Sequence, residues 1–113
     1  ATPEFVLLWV IAGACAIGRA AGIGLYGGTM LEGGVGTAAA LQLFATMPGF
    51  TWGTELFGPL LLTEDIITRP IGYRDFSVVL PEGPGLGVEI DPDKLEHYRR
   101  DRDRTVRIVA VKS

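Results

Sequence analysis

Few side chains in this sequence have the type and spacing that chemistry needs, and Glu55 leads them. It follows Phe50–Thr54, a short run with the composition of a buried strand, and precedes Gly58-Pro59, which stops regular structure. From Phe5 to Leu62 the charged residues are Arg19, Glu32 and Glu55 alone. A carboxylate at the end of a buried strand costs free energy unless it is paired, hydrogen-bonded or used. On chemistry alone two accounts of Glu55 stand: a group half in water or paired with an arginine, or a group at work in a site.

The remaining candidates are weaker. A single cysteine, Cys15, excludes an internal disulfide and offers no second thiol for a metal, which suits a reducing compartment. His97, the one histidine, falls on a charged helical stretch with no partner at metal-ligand spacing and reads as a surface residue. Glu64-Asp65 and Asp91/Asp93 read as helix-start acids rather than metal ligands. Lys94 and Lys112 lie in the polar C-terminal part, where no desolvated base is expected. Gly22, Gly24 and Gly27 can be forced onto Gly-x-Gly-x-x-Gly. They precede or lie within a strand instead of following one, and no Gly-Lys-Ser/Thr is present, so a nucleotide site is not supported.

The elements that must position Glu55 follow from composition and pattern. At 113 residues the chain has room for one domain, which on folding buries roughly two-thirds of its surface. A net charge of -3 gives no reason to expect nucleic acid or an anionic membrane as partner. Ten of the 16 glycines cluster at 22–28, 33–36 and 83–87, where tight turns or close backbone approach are expected. Charge is confined almost wholly to Glu64–Lys112, so the first half requires cover.

Phe5–Ile17 is an uninterrupted apolar run, shorter than the roughly 20 residues of a spanning helix, and Glu4 stands where a signal peptide needs a basic residue. It is expected to be a buried helix. The spacings Gly18-x-x-x-Gly22 and Gly24-x-x-x-Gly28 leave a membrane-associated alternative, against which stand Arg19 and the poor helix-forming of so many glycines. Ile23–Tyr26 reads as a short buried strand, and Val35–Met47 as a helix capped by Thr37 or Gly36 and stopped at Pro48-Gly49. Phe50–Thr54 reads as a second strand. Strand, glycine-rich loop, helix, turn and strand is the order that parallel α/β architecture repeats. Thr63–Ile67 is expected to form a helical turn capped by Thr63, and Tyr73–Pro81 a strand. Asp91-Pro92 starts a helix with Leu95 and Tyr98 on one face and Arg99-Arg100 at its end. Asp101–Arg104 alternates in charge as a solvated segment does, and Val106–Val111 has strand composition.

From about Ala20 to Asp101 the sequence resembles the C-terminal part of the muconate cycloisomerases, the muconate-lactonizing branch of the enolase superfamily. The resemblance rests on Gly22-Ile23-Gly24-Leu25-Tyr26-Gly27-Gly28-Thr29-Met30-Leu31-Glu32-Gly33, Gly36-Thr37, the unbroken run Thr51–Ile66, Tyr73-Arg74-Asp75-Phe76 and Pro84-Gly85-Leu86-Gly87. The form Thr54-Glu55-Leu56-Phe57 resembles the muconate enzymes more than their chloromuconate relatives. The implied fold is α/β: a partial (β/α) barrel, made of the last strands and helix of an enolase-superfamily barrel, plus a C-terminal return segment of the capping domain. Residues 20–58 would be the last β/α units, 59–101 the return over the capping domain, and 102–113 a charged tail with a possible strand. Strands 23–26 and 50–54 would be the seventh and eighth of the barrel. Glu55 would then be the catalytic last-strand carboxylate at the mouth, and Phe57 an aromatic wall against the substrate.

The implied activity is interconversion of cis,cis-muconate, a small dicarboxylate, and muconolactone, with lysine acid/base chemistry and an enolate stabilised by Mn or Mg in a cytoplasmic enzyme of aromatic catabolism. The implied metal carboxylates come from strands three to five, two lysines from strand two and another from strand six. Residues 1–19 contain neither that last lysine nor the Gly-Gly-Pro turn expected after it, and are read as an apolar segment unlike the family. A barrel of this kind needs about 250 residues. The expectation is therefore a chain that binds no metal and is inactive alone. Non-catalytic self-association through uncovered apolar faces and a small membrane-associated protein are the alternatives.

Overall fold

The computed structural model describes residues 3–101. In chain order these form α1 (Pro3–Ala20), β1 (Gly27–Gly28), α2 (Gly34–Ala45), β2 (Thr54–Glu55), a 3-10 turn (Gly58–Leu61), β3 (Tyr73–Arg74), β4 (Ser77–Val78) and α3 (Pro92–Tyr98). β1 and β2 pair in parallel, Gly27 opposite Thr54 and Gly28 opposite Glu55, with α2 as the connection between them. β3 and β4 form an antiparallel hairpin. Ile67 and Ile90 make an isolated bridge, flanked by Thr68 N–H to Glu89 O and Asp91 N–H to Ile66 O, each 2.8 Å. That bridge ties the segment after the 3-10 turn to the start of α3.

The core gathers on α2. Ala38, Leu41, Leu56, Ile67 and Ile71 are buried together, with Phe44, Tyr73, Val78 and Leu86 packed around them. Thr37 is fully buried among them, its hydroxyl 3.4 Å from the Glu32 carbonyl. Small residues permit this approach. A methyl group at Gly34 would meet the end of the Ile67 side chain, and one at Gly58 would meet the backbone of Glu32.

Several expectations hold and several change. α2 lies close to the expected 35–47, but neither Thr37 nor Gly36 caps it. The N-cap is Gly33, which has no side chain, and the Asp65 carboxylate takes the Gly34 N–H at 2.6 Å in its place. The expected turn of helix at Thr63–Ile67 is absent. Asp65 is turned toward α2 and its own Ile66 N–H, at 2.7 Å, so its carboxylate caps a distant helix instead of opening a local one. Strand pairing begins at Gly27 rather than at Ile23. Ile23–Tyr26 runs beside 49–52, exchanging bonds only at Leu25, and Ile23 and Tyr26 are exposed. Tyr73–Pro81 is a hairpin rather than one strand, because the chain reverses at Asp75 and Phe76, both left-handed (φ 50° and 57°).

α3 begins as expected: Asp91 accepts from the N–H groups of Asp93 and Lys94. α1 is the expected helix, yet much of its large apolar surface is exposed rather than buried. No helix among the described residues is long and apolar enough to cross a membrane. The expected strand at Val106–Val111 lies outside the described residues.

Candidate active site

Glu55 is the last residue of β2, and the parallel register sets its surroundings. Gly27 N–H donates to Gly53 O and Thr29 N–H to Glu55 O, both at 3.2 Å, so the backbone that presents Glu55 is tied to the β1 side at two points. Gly27 has to be glycine here, because a methyl group at that position would stand 2.6 Å from the Phe44 ring. The residue before Gly27 is Tyr26, and its hydroxyl donates to Glu55 Oε2 at 2.6 Å. A hydrogen bond of that length to a carboxylate is charge-assisted. The same bond raises the Tyr26 phenol above its ordinary value, since ionising it would set an oxyanion against a carboxylate.

Glu55 and Phe57 line one open cleft of about 870 Å³, together with Tyr26, Trp52, Tyr73 and Arg74. Leu56, between them, points the other way into the core at 4% exposure. The alternation places the carboxylate and the phenyl ring on the cleft and the leucine beneath it. Tyr73 pins this turn, donating from its hydroxyl to the Leu56 carbonyl at 2.5 Å. Partial burial pushes the Tyr73 phenol up. The floor of the cleft is thus fixed by two tyrosines, one holding the carboxylate and one holding the backbone beside it.

Glu55 and Phe57 line the same cleft. The structure leaves Cys15 on α1 and His97 on α3 away from that cleft. His97 packs edge-on to Tyr98 at 4.7 Å. Tyr26 and Tyr73 are the site residues that sequence reasoning missed. Tyr26 carried one usable signal: it ends the segment expected to run beside Phe50–Thr54. Tyr73 carried none, being separated from Leu56 by 17 positions in the sequence.

No group of three or more His, Cys, Asp or Glu side chains fit to hold a metal ion occurs among the described residues. Glu55 is the one carboxylate placed beside the Tyr26 hydroxyl, so the donors present do not make up the ligand set of a divalent cation. An oriented carboxylate beside an aromatic wall can steer a substrate or a positively charged side chain.

Comparison with known proteins defines the class. Residues 11–94 match the family model described as Enolase C-terminal domain-like, and the chain belongs to that family. Within it, the chain is homologous to the muconate cycloisomerases. It is 60% identical over 90 residues to muconate cycloisomerase 1-2 of Acinetobacter lwoffii, covering 80% of this chain and 23% of that protein. It is 56% identical over 84 residues to muconate cycloisomerase 1 of Pseudomonas putida, covering 74% and 22%. The crystal structure of muconate lactonizing enzyme from Klebsiella pneumoniae superposes with a TM-score of 0.72 at 59% identity, over 75% of this chain and 24% of that one. The chain therefore spans about a quarter of the length of the relatives it matches.

Proposed function

We propose that this chain is the C-terminal portion of a muconate cycloisomerase-type (β/α) barrel, in which β1 and β2 are the last two strands. Glu55 is its active-site carboxylate and Phe57 its substrate-facing wall. The observation that carries this reading is the placement of Glu55 at the C-terminal end of a parallel strand. It is held there by Tyr26 and faces an open cleft, and barrel enzymes keep their active groups at such strand ends. The substrate class is a small dicarboxylate related to cis,cis-muconate, the product muconolactone, and the setting cytoplasmic aromatic catabolism.

In that barrel Tyr26 holds the Glu55 carboxylate aimed into the cleft, while Phe57 and Trp52 provide its apolar walls. A manganese or magnesium ion, when bound, supplies stabilisation of negative charge. Its ligands and the acid/base lysines belong to parts of the barrel not represented among residues 3–101. The chain by itself is inactive. Incubating it with cis,cis-muconate and manganese while following ultraviolet absorbance should give a flat trace. Metal-dependent loss of the diene absorbance would overturn the reading.

A further inference from the structure

The loop between the β3–β4 hairpin and α3 has few means of holding its own shape. Residues 81–87 include glycines at 83, 85 and 87, which add no side-chain contact, and prolines at 81 and 84, which carry no backbone N–H. Among the described residues, the backbone hydrogen bond formed within it is Gly87 N–H to Pro84 O, at 3.2 Å. Its two ends nevertheless meet. Gly87 is left-handed at φ 74°, and a methyl group there would stand 2.6 Å from Pro81 O. This closed loop is tied to the middle of α2, where Gln42 Nε2 donates to Pro81 O at 3.0 Å and to Leu86 O at 3.2 Å. Carbonyl oxygens only accept, so two of them fix which end of the Gln42 amide faces the loop. A primary amide nitrogen carries two hydrogens, and one side chain thus serves both carbonyls at once. Leu86 packs against the core around α2 as well.

We propose that residues 81–87 are a strap closed onto α2, and that the Gln42 amide is its latch. The two carbonyls that Gln42 holds belong to the two ends of the strap, so the strap is fixed and released as a unit. Release leaves Ile67 and Ile71 in the core, because neither belongs to the strap. It does take away one part of an open cleft of about 660 Å³, which Pro81, Glu82, Gly83, Pro84 and Gly87 line together with residues 68–72. Local opening of this kind costs less than unfolding the whole chain and is set by the few contacts that close it. That cleft shares no lining residue with the one at Glu55. The latch is therefore independent of the muconate reading, and either can fail without the other.

Amide hydrogen exchange of the full chain, followed by NMR, tests the latch. Gln42→Met keeps an unbranched side chain and helix propensity but removes both donors. It should quicken exchange at Gly87, and at Thr68, whose acceptor Glu89 follows the strap, by at least about fivefold. Gly27 and Thr29, bonded to Gly53 O and Glu55 O, should keep their wild-type rates. Gln42→Glu has nearly the same shape but at neutral pH sets an acceptor-only carboxylate against two carbonyl oxygens, so it should quicken Gly87 more than Gln42→Met does. Far-UV circular dichroism should show both variants retaining their helix. Wild-type exchange at Gly87 in Gln42→Met would overturn the proposal, and so would an equal quickening at Gly27 and Thr29. Equal rates at Gly87 in the two variants would also overturn it, since lost packing alone would then account for both.

Discussion

α1 and α2 are built from nearly the same residues and end in opposite environments. Both are rich in alanine, glycine and aliphatic side chains, and neither carries a charge through its middle. On α2, Thr37 and Ala38 are fully buried and Leu41 nearly so; on α1, Val6, Val10 and Ile17 face solvent. Composition therefore does not decide burial. α2 lies between two parallel strands in sequence and receives Leu56, Ile67 and Ile71 from chain that follows it. α1 precedes β1, and among the described residues no later segment folds back over Val6, Val10 and Ile17. The lesson is that apolarity states a demand for cover, while topology decides whether the same chain meets it.

The sharpest way to break this contrast is to empty the core beneath α2. Ile67→Ala removes a side chain that is 1% exposed and should destabilise the chain by about 2–5 kcal/mol, read from urea unfolding. Val10→Ala on α1 should change unfolding of the monomer by no more than about 0.5 kcal/mol, as for other exposed positions. Equal losses from the two substitutions would mean that α1 is packed in solution as tightly as α2.

A smaller effect tests what anchors α2 but not α1. Asp65→Ala removes the acceptor of the Gly34 N–H at a helix start that has no cap of its own. It should cost about 0.5–2 kcal/mol, read by the same unfolding curves, with hydrogen exchange quickening first in the opening turn of α2.

The smallest expected effect is a titration at the site. The Tyr26 phenol should ionise above its ordinary value of 10.0, and Glu55→Gln should return it toward that value, followed by tyrosinate absorbance or NMR. Tyr26 is raised in the folded state, so its contribution to stability is fully present below the unfolded value and is lost as pH rises through the folded one. An unchanged titration in Glu55→Gln would show that the pair does not hold in solution.

What could be read early was whatever rests on neighbours in the chain. Asp91-Pro92 announces α3 because an acceptor at the N-cap and a proline at the first turn act within three residues, and the structure places both there. The limits of α2 followed from Pro48-Gly49 and from a run of helix-forming residues. The hairpin at Asp75-Phe76 was hidden, because this pair lacks the Asn-Gly or Asp-Gly form that usually marks such a turn. The buried state expected for α1 failed for the reason the comparison with α2 gives.

Sequence by itself determined the family, the order of the elements, and the position of Glu55 at a strand end with Phe57 two residues on, since motif, period and turn chemistry act over short separations. Only the tertiary structure decided who touches that carboxylate. The Tyr26 hydroxyl reaches it across 29 positions, and Asp65 reaches the start of α2 across 31. Both contacts follow from how the chain folds back on itself, with strand register setting the first and the return of the chain after the 3-10 turn setting the second, and no local pattern encodes either.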